Sequence, residues 1–139
     1  MAEVVLFPDA EDLVRLHLKS SFATRSGFTA VDAFTGSKPA TLPAEFVFVR
    51  RTGGPARDIV TDQPQITIES YAKRGSRAVA IANLARGLLS AAARDGQMGD
   101  ATVYGLNEFV GPYLDPDPDA PSYTRYSATY QLAVRGHAA

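Results

Sequence analysis

The residues best equipped for chemistry are few, and each lacks the neighbours that chemistry needs. His17 and His137 are the only histidines, and the chain has no cysteine. A metal centre needs several His, Cys or carboxylate ligands at matched spacing. His17 has no such partner four residues away on its helix, and His137 stands in a tail expected to fray. Asp115, Asp117 and Asp119 alternate like the opening of a calcium loop, but that loop also requires Gly at its sixth position and Glu at its twelfth. Those positions hold Ala120 and Tyr126, and prolines fill the gaps, so a solvated acidic loop is expected. Ser76 lies between Gly75 and Arg77 without the G-x-S-x-G nucleophile pattern and is expected to cap a helix. Gly53-Gly54 lacks the Lys and Ser/Thr of a phosphate loop, and Gly36-Ser37-Lys38 has the wrong order; both are expected to be turns. No catalytic residue, metal ligand or cofactor-binding residue emerges, and the chain reads as a non-enzyme.

Composition supports one domain over residues 1–139, with a net charge of −1 and 45% hydrophobic residues. A nearly neutral chain is poorly suited to neutralising nucleic-acid phosphates as its main task. The absence of cysteine excludes disulfides and thiol catalysis, so synthesis in a cytoplasm is the simplest expectation. No apolar run reaches the length of a membrane span, and the N-terminus lacks the basic region of a signal peptide.

The elements that must position these residues follow from periodicity. Asp9 can cap a first helix, with Glu11 and Asp12 at the positive end of its dipole. Its apolar stripe is read as Leu13, Leu16 and Ser20, flanked by Val14 and Leu18. Phe28 to Phe34 is expected as a strand and Thr35 to Pro43 as a loop. Ala44 to Arg51 is the strongest strand. Phe46 and Phe48 point one way and Val47 and Val49 the other, so it is either central and covered twice or part of a subunit contact. Gly53-Gly54-Pro55 forces a turn. Asp58 to Val60 is expected to pair briefly, and Gln65 to Tyr71 forms the next strand. A helix from about Ser76 to Arg94 buries Ala78, Ala82, Ala85, Leu89 and Ala92, with Gly96 just past its end. Thr102 to Val110 should be a strand that stops at Gly111-Pro112. A flexible acidic Pro-rich loop follows at about 112–121. Tyr123 to Arg135 alternates as a half-buried strand. The whole suggests an α+β sandwich, a mostly antiparallel sheet with two helices packed on one face.

Charge is unevenly placed. Arg50, Arg51, Arg57, Lys73, Arg74 and Arg77 face only Asp58, Asp62 and Glu69 between residues 50 and 77, while Glu108, Asp115, Asp117 and Asp119 form an acidic counterpart. Ordinary solvated charge accounts for this pattern. The sharper alternative is a head-to-tail contact in which the basic surface of one subunit meets the acidic loop of the next, a contact type that can close a ring.

Taken together, these stretches resemble a family. Phe46–Arg51, the following Gly53-Gly54-Pro55-x-Arg57-Asp58, the x-Asp62-x-Pro64 break and the Ala-rich helix resemble tail-terminator (tail-completion) proteins of long-tailed bacteriophages that infect actinobacteria. So do Gly111-Pro112 with its Pro/Asp-rich loop and the closing strand Tyr126 to Gly136. The resemblance covers roughly residues 8–136. It implies a ring-forming α+β subunit, a homo-hexamer that caps the head-proximal end of the tail tube in the virion after assembly in the host cytoplasm. It also implies contacts with the major tail-tube protein and the head–tail connector, with DNA passing only as cargo and with no catalysis, cofactor or membrane. Head–tail stoppers and adaptors are related alternatives, and a small ligand-binding or enzymatic domain is a third. On this basis Arg50, Arg51, Gly53, Gly54, Arg57, Asp58, Arg74, Arg77, Asp115, Asp117 and Asp119 are candidate contact residues. Arg125, Thr129 and Gln131 are candidates for a lumen or a neighbour-facing surface.

Overall fold

The computed structural model describes residues 1–139. Its elements in chain order are β1 (Val5–Leu6), α1 (Ala10–Ala23), β2 (Asp32–Thr35), β3 (Glu45–Gly53), β4 (Thr61–Asp62), β5 (Gln65–Ala72), α2 (Gly75–Asp95), β6 (Gln97–Met98), β7 (Ala101–Leu114), β8 (Thr124–Arg135) and β9 (His137–Ala138). The main sheet runs in the order β2-β3-β5-β8-β7-β6, with β4 added to the end of β8, and β1 pairs with β9 separately. Every pairing is antiparallel except β2 with β3, so the α+β class with a mostly antiparallel sheet holds.

Both helices pack on one face. Val47 and Val49 of β3, Ile66 and Ile68 of β5 and Ala128, Tyr130, Leu132 and Val134 of β8 join α1 and α2 in a single buried cluster. In α2 the buried residues are Ala78, Ile81, Ala82, Ala85, Leu89 and Ala92, the small stripe expected, which lets the helix backbone lie close to the sheet. The opposite face of β3 and β5 carries a smaller cluster, Phe46, Phe48 and Tyr71 with Ala120. Strand β3 is thus interior to the sheet and covered on both faces, the first of the two alternatives open from its sequence.

Several expectations need correction. In α1 the buried face is Ala10, Val14, Leu18 and Phe22, while Leu16 and Ser20 are exposed. The two phases are almost equally apolar, and packing against β2 and β3 selects the second. The strand expected from Phe28 begins only at Asp32, because Gly27 adopts a φ of 86° and successive turns close from Arg25 to Val31. The brief pairing expected at Asp58–Val60 falls instead at Thr61–Asp62. Ser76 is not the cap of α2: that position is Arg74, in extended conformation and without a side-chain bond. Asp9 does cap α1, accepting from the Asp12 amide, and Gly96 ends α2 at a φ of 80°.

Strand β7 does not stop at Gly111-Pro112 but runs on to Leu114. A register shift between Val110 and Tyr113 absorbs the proline. Over this half β7 has a neighbour only on its β8 side, and an edge strand tolerates a residue with no N–H.

Candidate assembly surface

The basic middle of the chain does not form a bare surface. Arg50 reaches Glu69 at 3.3 Å, and Arg77 holds Glu45 through two bonds of 2.6 and 2.9 Å while donating to the Gly27 carbonyl. The Arg77 guanidinium beside Glu45 holds that carboxyl below its usual range. Arg51 is a clasp: it grips both oxygens of buried Asp62 and donates to the carbonyls of Gly53 and Gly54. Arg57 and Asp58 pair with each other, half exposed, at 3.7 Å. The Val60 amide, aided by Thr61 and Arg57, lowers the Asp58 pKa. Of the six cations, Lys73 and Arg74 alone have no carboxylate partner in the chain.

Gly53 and Gly54 earn their places by backbone geometry, with φ of 129° and 92°. At Gly54 a Cβ would fall on the Gln63 carbonyl and 2.7 Å from the Gln65 amide nitrogen, whereas Gly53 has open space. The turn is therefore fixed by a close backbone crossing, and Arg51 seals it.

The acidic loop is not simply solvated. Pro116, Pro118, Asp119 and Pro121 are exposed, but Asp117 is only 7% exposed and Ala120 is buried with it. The loop is folded down as a strap over Phe46, Phe48 and Tyr71. Arg125, 15% exposed, lies at the centre of its anchorage. Its guanidinium bonds Glu69 at 3.1 Å and Tyr71 at 3.3 Å, lies 3.3 Å from Asp115 and 3.6 Å from Asp117, and donates to the carbonyls of Asp115 and Pro116. The Tyr71 hydroxyl accepts from Lys38 at 2.9 Å and donates to Asp117 at 2.8 Å. Phe46 stacks on Tyr71 at 4.5 Å, and Tyr123 meets both rings edge-on. Burial alone would raise the Asp117 pKa, but the Tyr71 hydroxyl, the Asp119 amide and the charges of Arg125 and Lys38 bring it below normal. Lys38 is likewise disfavoured by burial yet raised overall by Tyr71, Asp117 and Glu69. Desolvation raises the Tyr71 pKa. Asp115 and Asp117 are thus engaged inside their own chain, and Asp119 remains free.

Arg125 therefore parts company with Thr129 and Gln131. The last two belong to an open, uncharged strip on the same sheet face, where Gln65, Thr52, Thr67 and Thr129 link in a hydrogen-bonded row at 3.2, 3.2 and 3.0 Å. Beside this strip lies the feature the sequence reading missed. Strand β7 leaves Tyr104, Phe109, Val110, Tyr113 and Leu114 exposed, Phe109 and Leu114 by 52% and 57%. Val110 pairs with Thr129 and Tyr113 with Ser127, which sets both on the strap side of the sheet. The apolar run continuing past Gly111-Pro112 was the available clue. At the hairpin between β3 and β5, Ile59 is 80% exposed.

The charged groups around Tyr71 bond one another and line none of three hollows on the surface. The tail that carries His137, expected to fray, instead pairs as β9 with β1, and His17 and His137 line one hollow together. No group of three or more His, Asp or Glu is placed to hold a metal ion. Among known proteins, no family model matches this chain and no curated protein matches it.

Proposed function

We propose that this chain is a structural subunit of a phage virion, a tail terminator that assembles into a ring on the head-proximal end of the tail tube, ends tube growth and receives the head connector. The resemblance carried by the hairpin, the Ala-rich helix and the closing strand motivates this assignment. The observation that supports it best is the far half of β7, a long edge strand presenting Phe109, Val110, Tyr113 and Leu114 to solvent. Val110 and Tyr113 stand on the strap side and Leu114, paired with Tyr126, on the helical side, so this edge exposes large apolar side chains on both faces, and exposed apolar surface of that kind marks protein contacts. Bulges and Pro112 interrupt the ladder there, so contact through side chains is favoured over uncontrolled strand addition. The uncharged Thr/Gln strip beside it suits either a neighbour or the lumen.

Native mass spectrometry and negative-stain microscopy, with and without the major tail-tube protein, test the proposal. A six-membered ring that caps tubes and limits their length is expected. Replacing Phe109 and Leu114 together by Ser should abolish assembly while changing monomer stability by about 1 kcal/mol or less, as two exposed-site changes usually do. A chain that stays monomeric with tube protein present would sink the proposal. Binding to the connector without binding to the tube would move it to an adjacent neck layer, as a stopper or adaptor.

A further inference from the structure

The fold brings the only two histidines of the chain to one hollow of about 770 Å³ between the middle turns of α1 and the turn that joins β6 to β7. Its size is that of a small-ligand site. Leu13 and Leu16 of α1 give it an apolar wall, and Leu16 is exposed there. Arg135 lines the hollow with no carboxylate at ion-pair distance; its side-chain contact is a 3.2 Å bond to the Tyr104 hydroxyl. Asp100 is the one carboxylate in the lining. The Nε2 of His17 lies 3.3 Å from the Leu88 carbonyl oxygen. A carbonyl can only accept, so Nε2 donates to it, and in the neutral ring Nδ1 is the acceptor.

An apolar wall, a guanidinium without an internal counter-ion and an acceptor nitrogen together describe a specific ligand chemistry. We propose that this hollow binds the carboxyl terminus of a peptide whose last residue is apolar. The terminal side chain lies on Leu13 and Leu16. The carboxylate pairs with Arg135, whose planar fork suits two oxygens, and His137 adds a second polar contact. The His17 Nδ1 accepts the terminal amide N–H, and Asp100 disfavours further acidic residues close by. Capture of a terminal carboxylate is an established mode of peptide recognition, and nothing in the proposed virion role requires it.

The test follows the ring C–H resonances of His17 and His137 by NMR while N-acetyl-leucyl-leucine is added to the full chain. Its carboxamide and octanoate are run in parallel. Saturable movement at both histidines is expected with the free acid, with binding about tenfold weaker for the carboxamide, the factor for one lost charge-assisted bond. Octanoate, which has the charge and the apolar body but no N–H, should also bind less well. Arg135→Gln, at an exposed side chain, should weaken the acid about tenfold while leaving the backbone amide spectrum otherwise unchanged. The proposal is overturned by absence of saturable movement, by equal binding of acid and carboxamide, or by full affinity in Arg135→Gln. Equal binding of octanoate would overturn the peptide assignment in favour of a free fatty carboxylate.

Discussion

On the face beneath α1 and α2 the sheet is closed by alanines and aliphatic side chains from two regular helices. On the opposite face it is closed by a loop, through aromatic rings and a charge cluster centred on Arg125. The first closure depends on shape, is non-directional and tolerates small shifts. The second depends on pairing: every charge it buries must keep its partner, because an uncompensated buried charge costs more than the pair contributes. The helical face therefore holds the larger apolar core, while the strap face rests on pairing and shapes the surface beside which the exposed half of β7 stands.

Arg125→Ala tests that contrast most severely. It leaves Glu69 with Arg50 alone, at 3.3 Å, and Asp117 with Lys38 and the Tyr71 hydroxyl, so unfolding free energy measured by urea denaturation should fall by about 3–4 kcal/mol, toward the low end for breaking a buried pair. Adding Glu69→Gln should return part of the loss by removing one of the buried negative charges left with fewer cations beside them. A double variant no more stable than Arg125→Ala would mean that the strap face, like the other, is held by packing alone.

Gly54→Val strikes the hairpin that both faces share. Left-handed backbone and the collision with the Gln63 carbonyl together should cost about 3 kcal/mol. Gly53→Ala, with strain but no collision, should cost about 1–2 kcal/mol. Amide exchange should rise together in α2 and in the strap. Loosening confined to one side would show that the two closures are less coupled than a common sheet implies.

The strap should also be the pH-sensitive half. The folded Asp117 pKa is lowered, so its contribution is present above the ordinary carboxylate range and is lost as pH falls through the folded value. Lys38 and Tyr71 are raised, so theirs are present below their ordinary values and are lost as pH rises through the folded ones. The Ala120 and Tyr123 amides, bonded within the strap, should lose protection, measured relative to the intrinsic exchange rate at each pH, below about pH 4 and above about pH 10.5, ahead of those in α2. Asp117→Asn should remove the acid limb. Simultaneous loosening of α2 would break the distinction.

How much of this was legible depends on how local each cause is. The phase of α2 and the two faces of β3 and β8 could be read because one periodicity dominates each. The phase of α1 could not, since Leu13 and Leu16 compete with Val14 and Leu18 and only the sheet decides between them. The basic and acidic runs misled for a related reason. Glu69, Arg125 and Lys38 cancel charges far away in sequence, and nothing local marks such pairs. The hollow shared by His17 and His137 was hidden in the same way, while Pro112 concealed the length of β7 because a proline is disruptive inside a sheet and harmless at its edge.

The mildest comparison is also the most direct, because one substitution should have opposite signs on the two faces. Tyr130, under α2, has a buried hydroxyl with no hydrogen-bond partner, and burial pushes its pKa up. Tyr71 on the strap face bonds Lys38, Arg125 and Asp117. Tyr71→Phe should cost about 1.5–3 kcal/mol, the range for bonds to charged groups. Tyr130→Phe should be neutral or stabilise by up to about 1 kcal/mol, and Ser70→Ala, which removes the other orphaned hydroxyl on the helical face, should behave alike. Thermal and urea unfolding of the three variants would read this difference. A loss at Tyr130 or Ser70 as large as that at Tyr71 would mean that water or a shifted neighbour satisfies those hydroxyls, and that the helical face is not the dry closure its packing implies.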